Sequence, residues 1–510
     1  MTAWGGRKQM SYFLGIDLGT SSLKTMLIDE CGDECETASE SLQISSPHQG
    51  WSEQDPEQWW NACVRTIRKV LSKTGVSPDE IKALSFSGQM HGLVMLDREG
   101  KLIRPAILHN DARSGGEVRK MQRELGKERI QEWMMNPVYS GFLLVSLLWV
   151  RDHEPENFSR LDKVMLPKDY LKFKLCGEVT SDYSDASATL AYDIKGWEWS
   201  RTVLDYFGLR ESIFPPCYGT HEAIGHVSRQ AADETGVSSK TLVVSGGGDQ
   251  IMQGIGNGVI HPGDSSVNIG TAGQVSFRSD RPILNPELST NTFCGYQKGS
   301  WITMGAIMNA GVCLKWWDHL FGNVNYRELD EMVTGIAPGS RGIIFLPYLN
   351  GERTPHMNPD ISGGFVGLNL STGRAEMTRA VMEGVTYALY QCTEICRTLG
   401  LPVSGAIVAS GGGARSIPWR HIIADVFGTA VKVSTTEEQA CLGAAIAAGT
   451  GAGVYKSIDE GVGQLVHYQD DLIVPNMDNH KIYQEYYRLF KDFYKESKKQ
   501  INQLTLLGRS

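Results

Sequence analysis

Asp17, Gly19, Thr20 and Ser21 lie in the phrase Ile16-Asp17-Leu18-Gly19-Thr20-Ser21-Ser22, and a near copy, Asn268-Ile269-Gly270-Thr271-Ala272-Gly273, returns about half the chain later. Each phrase follows a short apolar run and leads into a second strand-like run, so each reads as a β-hairpin with Gly-Thr at its turn. Such a turn presents backbone N–H groups and a hydroxyl with no side chain in the way, which suits an oxyanion such as phosphate. Two of them would grip a polyphosphate from both sides. Asp17, two residues before the first Gly-Thr, admits two roles. A carboxylate beside phosphate is repulsive unless a cation lies between, which makes it a partner for Mg²⁺; alternatively it caps the turn through local backbone bonds.

Asp249 ends the run Gly246-Gly247-Gly248 behind a strand-like segment at 241–245. The glycines let another molecule approach the backbone, and the carboxylate is placed to accept a hydroxyl proton during phosphoryl transfer. The competing role is to cap the helix that follows, and one residue can do both. Gln89, Met90 and His91 form a loop between Gly88 and Gly92, in which His91 would donate hydrogen bonds to a polyol and Met90 would supply an apolar wall. A lone loop histidine is more often structural. His109, Asn110, Asp111 and Arg113 are a second polar cluster, fit for sugar hydroxyls or for a solvated turn. The glycines at 411–413, after a buried strand, permit the approach of a flat ring such as adenine.

These residues need elements to hold them. Apolar residues at helical spacing run over 59–73 behind Asp55-Pro56-Glu57, a short buried strand covers 81–86, and helices are expected over 309–321, 374–399, 421–427 and 441–448. The Lys-rich end from 482 onward reads as a solvated helix. At 510 residues the chain exceeds one ordinary core, so two domains are expected. Their boundary is placed near Gly256: a leader at 1–10, a first domain at 11–256 and a second at 257–510. The first ten residues lack the apolar core of a secretory signal.

A net charge of -9 argues against a nucleic-acid partner. The longest apolar stretch, 141–150, falls short of the roughly 20 residues a membrane span needs. Ten cysteines without paired spacing read as reduced thiols in a cytoplasmic protein. No Walker sequence is present, and the glycine triplets at 254–258 and 449–453 lack dinucleotide spacing.

Taken together these residues resemble the FGGY carbohydrate kinases. The likeness runs from Gly15 to about Tyr468, and Gly363-Gly364-Phe365-Val366-Gly367-Leu368 followed by Glu376-Met377 and Ala380-Val381-Met382-Glu383 fits the family's C-terminal signature. Within the family, Trp51-Ser52-Glu53-Gln54-Asp55-Pro56, Ser87-Gly88-Gln89-Met90-His91-Gly92 and Gly351-Glu352-Arg353-Thr354-Pro355-His356 are most similar to members that phosphorylate D-xylulose. The resemblance implies an α/β fold of two actin-like (ribonuclease H-like) ATPase domains flanking a central cleft. It also implies ATP and Mg²⁺, a small-molecule sugar as partner, and often a homodimer. By that likeness Asp249 is the base, and Gln89, Met90, His91, Asn110, Asp111 and Gln250 surround the sugar. Asp17 serves the metal, while Gly19, Thr20, Ser21, Gly270, Thr271, Gly311, Gly412, Gly413 and Ser416 serve the nucleotide. His109, Ser146 and Gln250 depart from the family pattern, which leaves the sugar open between D-xylulose, ribulose, gluconate and other polyols. An actin-like ATPase switch without sugar chemistry is the reading from another class.

Overall fold

The computed structural model of the protein describes residues 10–322, 325–401 and 403–508, so the leader expected over 1–10 lies, apart from Met10, outside them. The first hairpin is β1 (Tyr12–Leu18) and β2 (Ser22–Asp29), antiparallel with Leu18 opposite Leu23 at the turn. β3 (Glu34–Ser41) continues the meander, while β4 (Ile81–Gly88), β5 (Ala223–His226), β6 (Leu242–Val244) and the two-residue β7 (Gly247–Gly248) complete a sheet ordered β5-β6-β4-β1-β2-β3, with β7 on β4. β1, β4 and β7 run parallel. Their ends lie in one row, Asp17 opposite Ser87 and Ser87 opposite Gly247.

The second sheet repeats this plan. β8 (Ser265–Ile269) and β9 (Gly273–Ser279) form the second hairpin, β10 (Asn291–Cys294) and β11 (Trp301–Ile307) extend it, and β12 (Ile407–Ser410) and β13 (Val431–Val433) lie parallel on its other side. The order is β10-β11-β9-β8-β12-β13, and Asn268 pairs with Ser410, which sets the 411–413 glycines beside the Gly270 turn.

Local chemistry explains the helices. α1 (Pro56–Thr74) starts at Asp55, whose carboxylate accepts the Glu57 N–H, and ends at Gly75 in the left-handed region. Its Trp59, Cys63, Ile67 and Val70 cover the β1 face that carries Leu14, Ile16 and Leu18. The opposite face, with Phe13, Met26 and Ala83, is covered by α2 (Asp249–Gly256) and by a helix from the far end of the chain. Before that helix come α3 (Gly311–His319), α4 (Arg374–Thr398), which packs Val381, Val385 and Leu389 on the second sheet's core, and α5 (Ile417–Phe427). α5 begins four residues earlier than its periodicity suggests, because Ser416 caps it and Pro418 fits its first turn.

The far helix, α6 (Gln439–Gly451), reaches the first sheet backbone to backbone. A Cβ on Gly15 would stand 1.9 Å from the Cys441 carbonyl oxygen, and one on Gly443 1.9 Å from that of Met252 in α2. Small residues at this seam bring the two halves together. The terminal helix α7 (Met477–Gly508) is not simply solvated, as its lysines suggest. Tyr483, Tyr487, Phe490 and Tyr494 form an aromatic stripe buried against Tyr348 and Tyr387 of the second core, with the charged residues on the other side. Stripe and lysines interleave, which masks the pattern in composition.

Replacing Gly443 with Ala drives a methyl group into the Met252 carbonyl, so the variant should lose about 1–3 kcal/mol of unfolding free energy in urea titrations, the usual cost of overpacking. An unchanged midpoint would mean that α6 does not seat on α2 as described.

Candidate active site

The row of strand ends gathers two carboxylates. Asp17 leaves β1, and Asp249 opens α2 directly after β7. Asp17 Oδ1 is buried and makes no hydrogen bond of good geometry among the described residues, and burial raises the pKa of its carboxyl, opposed by the nearby Ser87 hydroxyl and then by the Lys24 ammonium. Asp249 is pushed up to about 7 by burial and by the negative charge of Asp17. Two acids thus lie within each other's field. Lys24, directly across the hairpin from Asp17, is engaged by Glu438 at 2.6 and 2.7 Å and so joins β2 to the residue before α6. A buried carboxylate oxygen with no good hydrogen bond, beside a second acid, fits a divalent cation held jointly with phosphate oxygens, since Mg²⁺ prefers one or two carboxylates plus phosphates and water.

The loop that carries Asp249 is set by its neighbours. Gly246 has φ 72°, and a Cβ there would fall 2.2 Å from the Phe86 carbonyl oxygen. The Gly248 N–H donates to Ser184 Oγ at 3.0 Å. Met90 packs directly on Gly248, where an added Cβ would lie 2.8 Å from its Cγ, and so forms the expected apolar wall.

His91 takes the left-handed region at φ 73°, an unusual place for a bulky residue. Its Nδ1–H donates to the Ala188 carbonyl at 2.8 Å, and its ring stacks on Phe142 at 4.1 Å. Burial pushes its pKa down to about 3, so it stays neutral. The remaining Nε2 therefore offers an acceptor, not the donor expected from the sequence.

Several polar residues are spent on support. Thr20 Oγ1 donates to Gln89 Oε1 at 3.1 Å, Gln89 Nε2 to Gln54 Oε1 at 3.2 Å, and Gln54 Nε2 to the Thr20 carbonyl at 2.8 Å. Gln89 thus braces the first turn, which the Gly19 N–H closes on the Ser22 carbonyl at 3.0 Å with Ser21 left exposed. Asp111 is buried and accepts from the Ser52 N–H at 2.6 Å and from Arg113, which also pairs with Glu53 and lies 3.7 Å over the Trp51 ring. Asp111 holds the turn, and exposed Asn110 faces the open cavity. Gln250 accepts from Gln274 of β9 across the two halves. Ser146 is fully buried in the helix Leu143–His153.

The second turn is better gathered. Gly270, Thr271, Gly311, Gly412, Gly413 and Ser416 all border one cavity of about 710 Å³. Gly311 rests on the turn through its N–H to the Gly270 carbonyl at 2.8 Å, and Ser416 donates to Asp330 at 2.6 Å. A second cavity of about 370 Å³ has Thr271 on one side and His109, Asn110 and Gln250 on the other. A third, of about 390 Å³, joins Asp17 and Lys24 to Gly411 and Gly412. Lys24, Gln274, Asp330 and Arg353 were not singled out by the sequence. The hairpin register alone, which sets Lys24 opposite Asp17, points to the first of them.

Residues 12–256 match the N-terminal domain of the FGGY family of carbohydrate kinases, and residues 266–452 match its C-terminal domain. The chain is 38% identical over 486 residues to a xylulose kinase of Staphylococcus epidermidis, covering 95% of this chain and 97% of that one. Among solved structures it superposes on a ligand-bound xylulose kinase from Lactobacillus acidophilus with a TM-score of 0.91 at 26% identity, over 97% of this chain and 100% of the other. A gluconate kinase from the same organism gives 0.91 at 25% identity, again over 97% and 100%.

The raised pKa of Asp249 carries a stability consequence. Between about pH 4, the ordinary carboxyl range, and about pH 7, the folded protein holds a proton that the unfolded chain releases, so Asp249 weakens the fold progressively as pH rises through that window. Asp249→Asn should therefore be more stable than the parent at pH 8, with the advantage shrinking at pH 5, as read from urea midpoints without nucleotide or divalent cation. An equal difference at both pH values would show that Asp249 is not perturbed.

Proposed function

The chain belongs to the FGGY family of carbohydrate kinases, and from that premise we propose that it transfers the γ-phosphoryl group of ATP to the primary hydroxyl of a ketopentose, D-xylulose O5. The observation that carries the reading is the meeting of Asp17 and Asp249 at strand ends on either side of β4, with Asp17 beside the glycines that pack on the Thr271 turn. Residues 11–256 are the sugar and catalytic side, and 257–510 the nucleotide side.

Asp249 accepts the hydroxyl proton as the sugar oxygen bonds to the γ-phosphorus and the bond to the ADP oxygen breaks. A carboxyl near neutrality is matched to this task. It stands at the first residue of α2, where the helix N-terminus favours the anion that accepts the proton. His91 Nε2 accepts a sugar hydroxyl, Met90 excludes water beside Gly248, and Asn110 and Gln250 face the sugar. Gly270, Thr271, Gly311, Gly412 and Gly413 offer backbone contact to the nucleotide, with Ser416 and the Gly19-Thr20-Ser21 turn at its edges. Asp17 would hold Mg²⁺, which supplies charge neutralisation on the phosphates. The ligands are a small-molecule sugar, ATP and Mg²⁺, and the setting is the cytoplasm, since ATP is the donor. Among the described residues no helix is long and apolar enough to cross a membrane.

The resemblance to a gluconate kinase favours a second reading, an aldonate as acceptor. A panel of D-xylulose, D-ribulose and D-gluconate compared by kcat/KM decides between them, and D-xylulose should rank first. Asp249→Asn should lower kcat by about 10²–10⁴-fold, the usual reach of a general base, while ATP still binds by calorimetry. Turnover that survives the substitution would remove Asp249 from the mechanism.

A further inference from the structure

Arg353 stands where two cavities meet. The 370 Å³ cavity at the Thr271 turn and a wider one of about 800 Å³ beside Asn110 and Asp111 share four lining residues, His109, Asn110, Met308 and Arg353. These four residues therefore lie between the Thr271 turn and the polar residues at 110 and 111. Only Arg353 among them carries a fixed positive charge, because burial, aided by the nearby arginine, pushes His109 down to about 4.

The backbone under Arg353 is fastened on every side while its side chain is exposed. The Arg353 N–H donates to Glu352 Oε1 at 2.7 Å, and the same oxygen accepts from the Met308 N–H at 2.6 Å. The Thr354 N–H donates to the Ala306 carbonyl at 3.0 Å, its hydroxyl to the Ser289 carbonyl at 2.6 Å, and Asn309 Nδ2 to the Gly351 carbonyl at 2.8 Å. Against this fixed base the guanidinium neighbours the Glu352 carboxyl, whose pKa it lowers against the effect of burial, and the Tyr139 ring, at 5.8 Å from the centroid. An exposed arginine on a rigid mount, lining two cavities at once, has the form of an anion clamp.

We propose that Arg353 is a catalytic residue of the phosphoryl transfer, its guanidinium gripping equatorial oxygens of the γ-phosphoryl group as it passes from ADP to the sugar. The inference rests on the sugar-kinase reading. The sugar O–P bond forms, the bond to the β-phosphate oxygen breaks with its electron pair left on ADP, and the hydroxyl proton goes to Asp249. Arg353 neutralises charge on the group in flight and exchanges no proton, as expected where positioning and electrostatics carry the catalysis.

The test compares the full-length parent with Arg353→Lys and Arg353→Ala. Sugar-dependent ADP formation by the parent tests the kinase reading, and the variants test the arginine. Both should lose about 10²-fold or more in kcat, because a lysine cannot reproduce the two-pronged grip. The sugar KM and the calorimetric Kd for ADP should stay within about threefold, the pattern of an interaction made only in the transition state. Added guanidinium chloride should raise kcat of Arg353→Ala and not that of the parent. If Arg353→Ala does not fold, Arg353→Lys, which keeps stem and charge, decides alone. Retained kcat in Arg353→Lys, or a loss confined to the sugar KM, overturns the proposal.

Discussion

Asp17 and Asp249 are acids that repel each other, and the parallel pairing of β1, β4 and β7 holds them close regardless. Strand ends in register leave their side chains no route apart: Asp17 is opposite Ser87, Ser87 opposite Gly247, and Asp249 follows two residues later. Burial first, and then this repulsion, raises the Asp249 carboxyl pKa. Such a site is costly for an isolated fold and apt for one that receives cation and phosphate together. The stability of the first sheet, packed on both faces by α1, α2 and α6, is what lets the strain persist.

A second theme is the division of labour among polar residues close in sequence. Gln89 and His91 are neighbours in one loop, yet Gln89 is locked under the Thr20 turn and His91 presents an acceptor nitrogen. Asn110 and Asp111 divide in the same way, Asn110 toward the cavity and Asp111 into a buried bond with Arg113. In each pair one side chain fixes the backbone from which the other acts. Precision of about half an ångström at a reacting atom demands such support.

The two halves are joined by bonds of different kinds. Backbone contact between α6, β1 and α2 makes a close seam at Gly15 and Gly443. Near the carboxylates the joints are polar: Lys24 with Glu438, and Gln250 with Gln274. Polar joints can break and reform in water at modest cost, whereas a seam of interlocked backbone cannot. Motion between the halves, which closing on two substrates requires, is therefore expected at the polar joints with the glycine seam as pivot.

The sequence by itself determined the two hairpins, the glycine-flanked strand ends and the residue types at the candidate site. These are local matters, set by period-two apolar runs and by backbone angles that few residues adopt. Gly270 and Thr271 are on the second turn, and Gly311, Gly412, Gly413 and Ser416 reach the same cavity only because β12 pairs with β8 and α3 rests on that turn. Tertiary structure alone decided which polar groups are spent and which are free. Gln89 is bound by Gln54, Asp111 by a backbone N–H 59 residues away, and Lys24 by a carboxylate 414 residues away. Arg353 is the converse case, distinguished by its exposure and by the two cavities that it lines. Hydrogen bonds and ion pairs form between groups close in space, and the spatial neighbours of a side chain are fixed only once the sheets and helices have packed.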